Sequence, residues 1–117
     1  MVRNILLILI LYCIAYVDVY SQKEIITDSK KAINAYNQGI KKYTLHNYAE
    51  AIDFLKQAVE TDRNFINAWF VLAEVYTDDN QYENAIDAYK KGLAINPMFY
   101  PRGYIRQGTL EFSLGRY

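Results

Sequence analysis

Apolar residues fall along this chain in two patterns. Near the N-terminus they run unbroken for 13 positions, from Ile5 to Val17. Further along they recur three and four residues apart, the spacing that lays one stripe along a helix. In Tyr48–Glu60 the stripe is Tyr48, Ala51, Ile52, Leu55, Ala58 and Val59, while Glu50, Asp53, Lys56 and Glu60 face elsewhere. Asn47 with Glu50 three residues on marks the start of this helix as a capping box. Tyr82–Ile95 repeats the stripe with Ala85, Ile86, Tyr89 and Leu93. Asn96-Pro97 closes it, because proline disfavours helical geometry in the residue before it. A helix precedes each of these two, near Asp28–Thr44 and Ile66–Thr77, and a third of the same kind falls at Pro101–Ser113. Asp28 or Ser29 caps the first, and Pro101 suits the first turn of the third, where its missing N–H costs nothing. Five glycines and two prolines are too few for a turn-rich all-β chain. The pattern predicts an all-α fold.

The two halves of the helical region are copies. A shift of 34 carries Tyr48 onto Tyr82, Ala51-Ile52-Asp53 onto Ala85-Ile86-Asp87, Lys56 onto Lys90 and Phe65 onto Phe99. A further shift of 35 carries Trp69 to Tyr104, Phe70 to Ile105 and Tyr82 to Tyr117, so one extra residue sits in the turn around Phe99 to Pro101. Small residues recur at one point of the leading helix (Gly39, Ala73, Gly108) and of the following one (Ala51, Ala85). Small side chains at fixed spacing let helices approach closely, and Trp69, Leu72, Tyr76, Leu55 and Tyr89 fill the remaining volume.

At these residues the chain resembles the tetratricopeptide repeat family. The second unit carries the signature at Trp69, Leu72, Ala73, Tyr76, Tyr82, Ala85, Tyr89 and Pro97. The first keeps Gly39, Tyr48, Ala51 and Ala58 but has Ala35 for the tryptophan and Arg63 for the proline. The third keeps Tyr104, Gly108, Gly115 and Tyr117. The resemblance implies a right-handed superhelical stack of antiparallel helix pairs, about two and a half repeats long. Its units are residues 32–65 and 66–100, followed by a leading helix alone at 101–117. Gly115-Arg116-Tyr117 matches the turns His46-Asn47-Tyr48 and Asn80-Gln81-Tyr82, so a longer protein with a following partner helix is expected.

The N-terminal run is too short for a membrane span of roughly 20 residues. Arg3 precedes it, and Val19 and Ser21 are small enough to stand three and one positions before a cleavage point. Residues 1–21 are therefore expected to be a secretory signal peptide cut between Ser21 and Gln22, with 22–31 leading into the first helix. An uncleaved anchor is the alternative. Cleavage would remove Cys13, the single cysteine, so the exported chain could form no disulfide. Periplasm or cell envelope, including association with an outer membrane, is the expected location.

Charge and chemistry narrow the function. Thirteen basic and thirteen acidic residues cancel, and no basic stripe or glycine-rich phosphate loop occurs, so neither nucleic acid nor a small-molecule substrate is indicated. One histidine and one cysteine leave no zinc site and no nucleophile pair. His46 and Asp78-Asp79-Asn80 read as solvated turns between paired helices. No cofactor, metal or catalytic residue is expected. The family resemblance instead implies that the leading helices line a concave groove. Its residues would be Tyr36, Asn37, Ile40 and Tyr43 in the first unit, Asn67, Phe70 and Glu74 in the second, and Arg102 and Arg106 in the third. Ile33, Val71, Thr77, Ile105 and Phe112 extend the same line. Arg102 and Arg106, four apart, could hold a carboxylate. At the places where some relatives clamp a peptide carboxylate, however, Tyr36, Ile40 and Val71 replace the clamp's lysine and asparagines. The expected role is a non-catalytic scaffold for a protein or peptide partner. The rivals are self-assembly and a docking region for an enzyme domain beyond Tyr117. Mass spectrometry of the exported protein should find Gln22, open or cyclised, at its N-terminus. Intact Met1 in a membrane fraction would overturn the signal assignment.

Overall fold

The computed structural model describes residues 2–21, 27–100 and 102–116, with the side chains of 14–21 left aside. Gln22, Pro101 and Tyr117 lie outside the described residues, as does the first half of the lead-in 22–31. Among the described residues six helices follow one another: α1 (Val2–Ser21), α2 (Lys30–Thr44), α3 (Tyr48–Thr61), α4 (Ile66–Asp78), α5 (Tyr82–Ile95) and α6 (Arg102–Ser113). No strand occurs among the described residues. The stack is made of antiparallel neighbours, α2 with α3 and α4 with α5, joined through α3 against α4 and α5 against α6.

Local chemistry sets the helix ends. Ser29 caps α2 by accepting from the Ala32 N–H at 3.2 Å, so the helix begins after Ser29 and not at Asp28. Asn47 caps α3 by accepting from the Glu50 N–H at 3.3 Å. Lys42 reaches the Glu50 carboxylate at 2.6 Å, which ties α2 to α3 across their turn. The Thr27 hydroxyl donates to Asp62 and holds the entry of α2 against the end of α3. The three tight turns are built alike. His46, Asn80 and Gly115 have φ of 57°, 60° and 74°, the left-handed geometry that ends a helix. In each, the next N–H bonds back five residues: Asn47 to Lys42, Gln81 to Tyr76 and Arg116 to Glu111, at 2.8–2.9 Å. Glycine adopts this φ freely, while His46 and Asn80 hold it against steric preference.

The core runs through the stack as one cluster. Ala51, Leu55, Ala73, Ala85 and Tyr89 are fully buried, and Leu72 nearly so. Trp69 is half-buried, and Tyr76 packs partly against the core. Pro97 stands exposed beyond the end of α5, which closes at Asn96. The small-residue series of the leading helices divides. A Cβ on Gly39 would lie 2.6 Å from Leu55 Cγ and 3.4 Å from the Ala51 carbonyl oxygen, so α2 and α3 touch there. Gly108 is exposed, with nothing within 4 Å of the same point, because no described helix lies opposite it. Its expected packing role is thus corrected, and the close contact of α6 falls instead at Gly103. A Cβ there would meet Phe70 at 3.2 Å and Leu93 at 3.3 Å.

Equivalent glycines should therefore respond with opposite signs. Gly39→Ala should destabilise by about 1–3 kcal/mol through overpacking against Leu55. Gly108→Ala should stabilise by about 0.5–1 kcal/mol through helix propensity alone. Urea denaturation of the two variants checks both, and equal effects would contradict the packing.

Candidate functional site

On a helix of 3.6 residues per turn, Asn67, Phe70 and Glu74 lie on one side of α4 and Trp69, Leu72 and Tyr76 on the other. The first side joins α2 and α6 to make the candidate groove. Two cross-links fix it. The Tyr43 hydroxyl of α2 donates to Asp78 Oδ2 of α4 at 2.6 Å. The Tyr100 hydroxyl donates to Glu74 Oε1 at 3.3 Å. Burial, then the bond to Asp78, pushes the Tyr43 phenol above its ordinary range. Burial and the Glu74 carboxylate do the same to Tyr36. These phenols stay neutral over the physiological range, with the single proton of Tyr43 committed to Asp78.

Of the nine groove residues read from the sequence, seven reach the surface. Tyr36, Ile40, Tyr43 and Glu74 are half-buried, and Asn37, Arg102 and Arg106 are exposed. Phe70 does not join them. It is 5% exposed and sits within an aromatic nest, 4.9 Å from Tyr100, 6.0 Å from Phe99 and 6.3 Å from Tyr89 between ring centres. Phe99 stacks on it at only 4° between planes. Asn67 is also buried, at 4% exposure, and its Oδ1 has no hydrogen-bond partner among the described residues. Both belong to the core rather than to the groove surface. For Phe70 the cause is the turn after α5, whose Phe99 and Tyr100 pack over its ring. Between α3 and α4 the matching Phe65 likewise covers Tyr36, at 5.0 Å.

Tyr100 and Asp78 are the groove residues that sequence reasoning missed. Tyr100 had a signal, because it lies in the one-residue insertion that lengthens the second spacing to 35. Arg106 stands within electrostatic reach of Tyr89, Tyr100 and Glu74, so the α6 end of the groove gathers two phenols, one carboxylate and one guanidinium. Elsewhere the polar side chains of the α4–α5 turn are occupied by local bonds. Asp79 accepts from Gln81 at 2.7 Å, and Asn80 from the Tyr82 hydroxyl at 2.9 Å. His46 is exposed, 3.3 Å from the Tyr48 hydroxyl. No group of three His, Cys, Asp or Glu side chains placed to hold a metal ion occurs among the described residues.

With the fold in view, residues 66–99 match the family model of the tetratricopeptide repeat. Over those residues the chain carries the tetratricopeptide repeat signature, and its all-α stack among the described residues has the fold of tetratricopeptide repeat solenoids. The crystal structure of MamA is similar at a TM-score of 0.70 and 27% identity, over 79% of this chain and 53% of that one. The first such domain of Spaghetti (RPAP3), bound to the HSP90 peptide SRMEEVD, is similar in fold at a TM-score of 0.68 and 24% identity, over 77% of this chain and 72% of that one. Response regulator aspartate phosphatase J of Bacillus subtilis (strain 168) is 35% identical over 63 residues, 50% of this chain. The chain spans between 17% and 23% of the length of the curated relatives it matches.

Tyr89 supplies a test of the groove floor. Its hydroxyl is buried with no hydrogen-bond partner among the described residues, and burial, opposed by Arg106, pushes the phenol up to about 12. The folded pKa lies above the ordinary 10.0, so the stability contributed by the neutral phenol is whole below pH 10 and fades as pH rises toward about 12. Tyr89→Phe should change stability at neutral pH by less than about 1 kcal/mol, since no made bond is lost. Denaturation midpoints between those pH values should fall more steeply for the wild type than for the variant.

Proposed function

We propose that this chain is an exported, non-catalytic scaffold that holds a segment of a partner protein along the groove of α2, α4 and α6. The observation that carries the reading is the groove surface itself. Tyr36, Ile40 and Tyr43 give it aromatic and apolar area at one end, and Arg102 and Arg106 give it charge at the other. Tyrosines bury large area at low entropic cost and keep a polar tip, which suits adaptable peptide contacts. The two arginines, one turn apart on α6, suit a carboxylate of the partner. That the Spaghetti domain, alike in fold, holds a peptide supports this reading of the groove. Export rests on α1, whose residues from Val2 to Tyr12 carry a run of exposed large apolar side chains. A leader of this kind directs the repeats to the periplasm or envelope.

The test uses two positions that reach the groove surface, the half-buried Tyr36 and the exposed Arg106. Tyr36→Ala and Arg106→Glu should each weaken capture of envelope partners by about 1–2 kcal/mol, with the arginine effect larger at low salt. Both should remain folded by circular dichroism. Phe70→Ala is no probe of binding, because removing a buried phenyl costs about 3–5 kcal/mol of stability. Identical partners and affinities for wild type and both surface variants would rule out the groove.

A further inference from the structure

The other side of α4 carries a cleft that the groove reading leaves unused. Helices α3 and α5 are bridged there by α4 rather than packed on each other, and a cavity of about 550 Å³ opens between them. Trp69 lines one side of it, over a floor of Leu72, Val59 and Ala88. The last three are buried, so the floor is rigid and apolar, and the volume is that of a ligand-sized site. Trp69 is fixed as one wall. Its Nε1 donates to the Arg63 carbonyl at 2.8 Å, and Lys91 Nζ stands 5.0 Å from its ring centre.

The rim is polarised. Because α3 and α5 are equivalent helices 34 residues apart, they run in the same direction, and Asp53 and Asp87 stand at matching positions near the Tyr76 end. At the other end lie Lys56, Arg63 and Lys91, against the single acid Glu60. Lys91 is held by Asp87 at 3.0 Å and by the Trp69 ring. Lys56 and Arg63 are exposed and enter no ion pair among the described residues. On the outer flank of α3, Ala35 and Gln38 take the places of Trp69 and Leu72, and the hollow there is about 250 Å³. The tryptophan wall is thus particular to the α3–α5 cleft, while the outer hollow is lined by Phe54 where the cleft has Ala88.

We propose that this cleft is a second binding site, independent of the groove, for a partner segment that presents one aromatic side chain flanked by acidic residues. The ring lies on Leu72 and Ala88 against the Trp69 wall. The acids meet Lys56 and Arg63, where charge complementarity is open. A basic segment would meet these same cations and be repelled, which sets the sign of the preference.

Trp69 is the single tryptophan, so its indole N–H resonance and its emission report on the cleft in the full chain. Three short probes are titrated: acetyl-Phe-Glu-Glu-amide, acetyl-Phe-Lys-Lys-amide and acetyl-Gly-Glu-Glu-amide. The acidic phenylalanine peptide should shift the Trp69 signals saturably, with an affinity at least about fivefold above the other two. Lys56→Glu with Arg63→Glu should remove that preference, and both residues are exposed, so the fold is retained. Arg106→Glu, on the opposite face, should leave it unchanged. No saturable shift, an equal response to the three peptides, or an equal loss with Arg106→Glu would each overturn the proposal. None of these outcomes bears on the groove.

Discussion

Everything in this stack is organised by the need to cover α4. A helix with one apolar stripe is satisfied by one neighbour, but α4 buries Ile66, Asn67, Ala68, Phe70, Leu72, Ala73 and Val75, which leaves almost no side uncommitted. It is met by α5 within its own pair, by α3 before it and by α6 after it. That demand explains why the close approaches cluster where they do. Phe70 fits because Gly92 of α5 and Gly103 of α6 carry no side chain, and a Cβ at either would fall 3.0–3.2 Å from its ring. The aromatic residue is large, and both helices around it are shaved to admit it. Two distinct surfaces emerge as by-products, one on each side of the same buried helix.

Most of the fold was legible in the sequence because packing periodicity is a local property. The stripe from Tyr48 to Val59 and its copy from Tyr82 to Leu93 fix two helices within a residue of their ends. The tight turns also left a mark, since His46, Asn80 and Gly115 occupy one repeat position and share one left-handed backbone. The site was less legible, and Phe70 shows why. Register places it beside Tyr36 in role, and both are covered by the phenylalanine that ends the following linker. The difference is the added Tyr100, whose ring closes over Phe70 and whose hydroxyl turns to Glu74. A single inserted residue converts a surface position into a core position, and no periodicity within a helix records it. Gly108 fails for the complementary reason. Its spacing is right, but burial depends on what lies opposite, and spacing is silent on that.

The electrostatics follow the same division. A net charge of zero conceals a strongly local arrangement, in which phenols, Glu74 and Arg106 meet at one end of the groove and lysines and Arg63 meet at one end of the cleft. Several ion pairs tie consecutive elements: Lys42 to Glu50, Lys90 to Glu111 and Arg116 to Glu83. All are exposed or half-exposed, and pairs of that kind contribute little to stability. They act more as guides for how one helix sets down on the next.

The contact of Gly39 with Leu55 bears on a hazard that self-similar chains face while they fold. Helices α3 and α5 are near copies, so during collapse either could lie down on α2, within one molecule or between two. In the exchanged arrangement the residue brought opposite Gly39 would be Tyr89, which occupies the repeat position of Leu55. Leu55 already reaches to within 2.6 Å of where a Cβ would begin at Gly39, so the notch is cut to the size of a leucine. A phenol ring would have to enter it with its hydroxyl stranded, while Leu55 would underfill the place vacated beneath α4. One glycine thereby gives each hairpin a reason to close on itself and makes the repeats poor substitutes for one another.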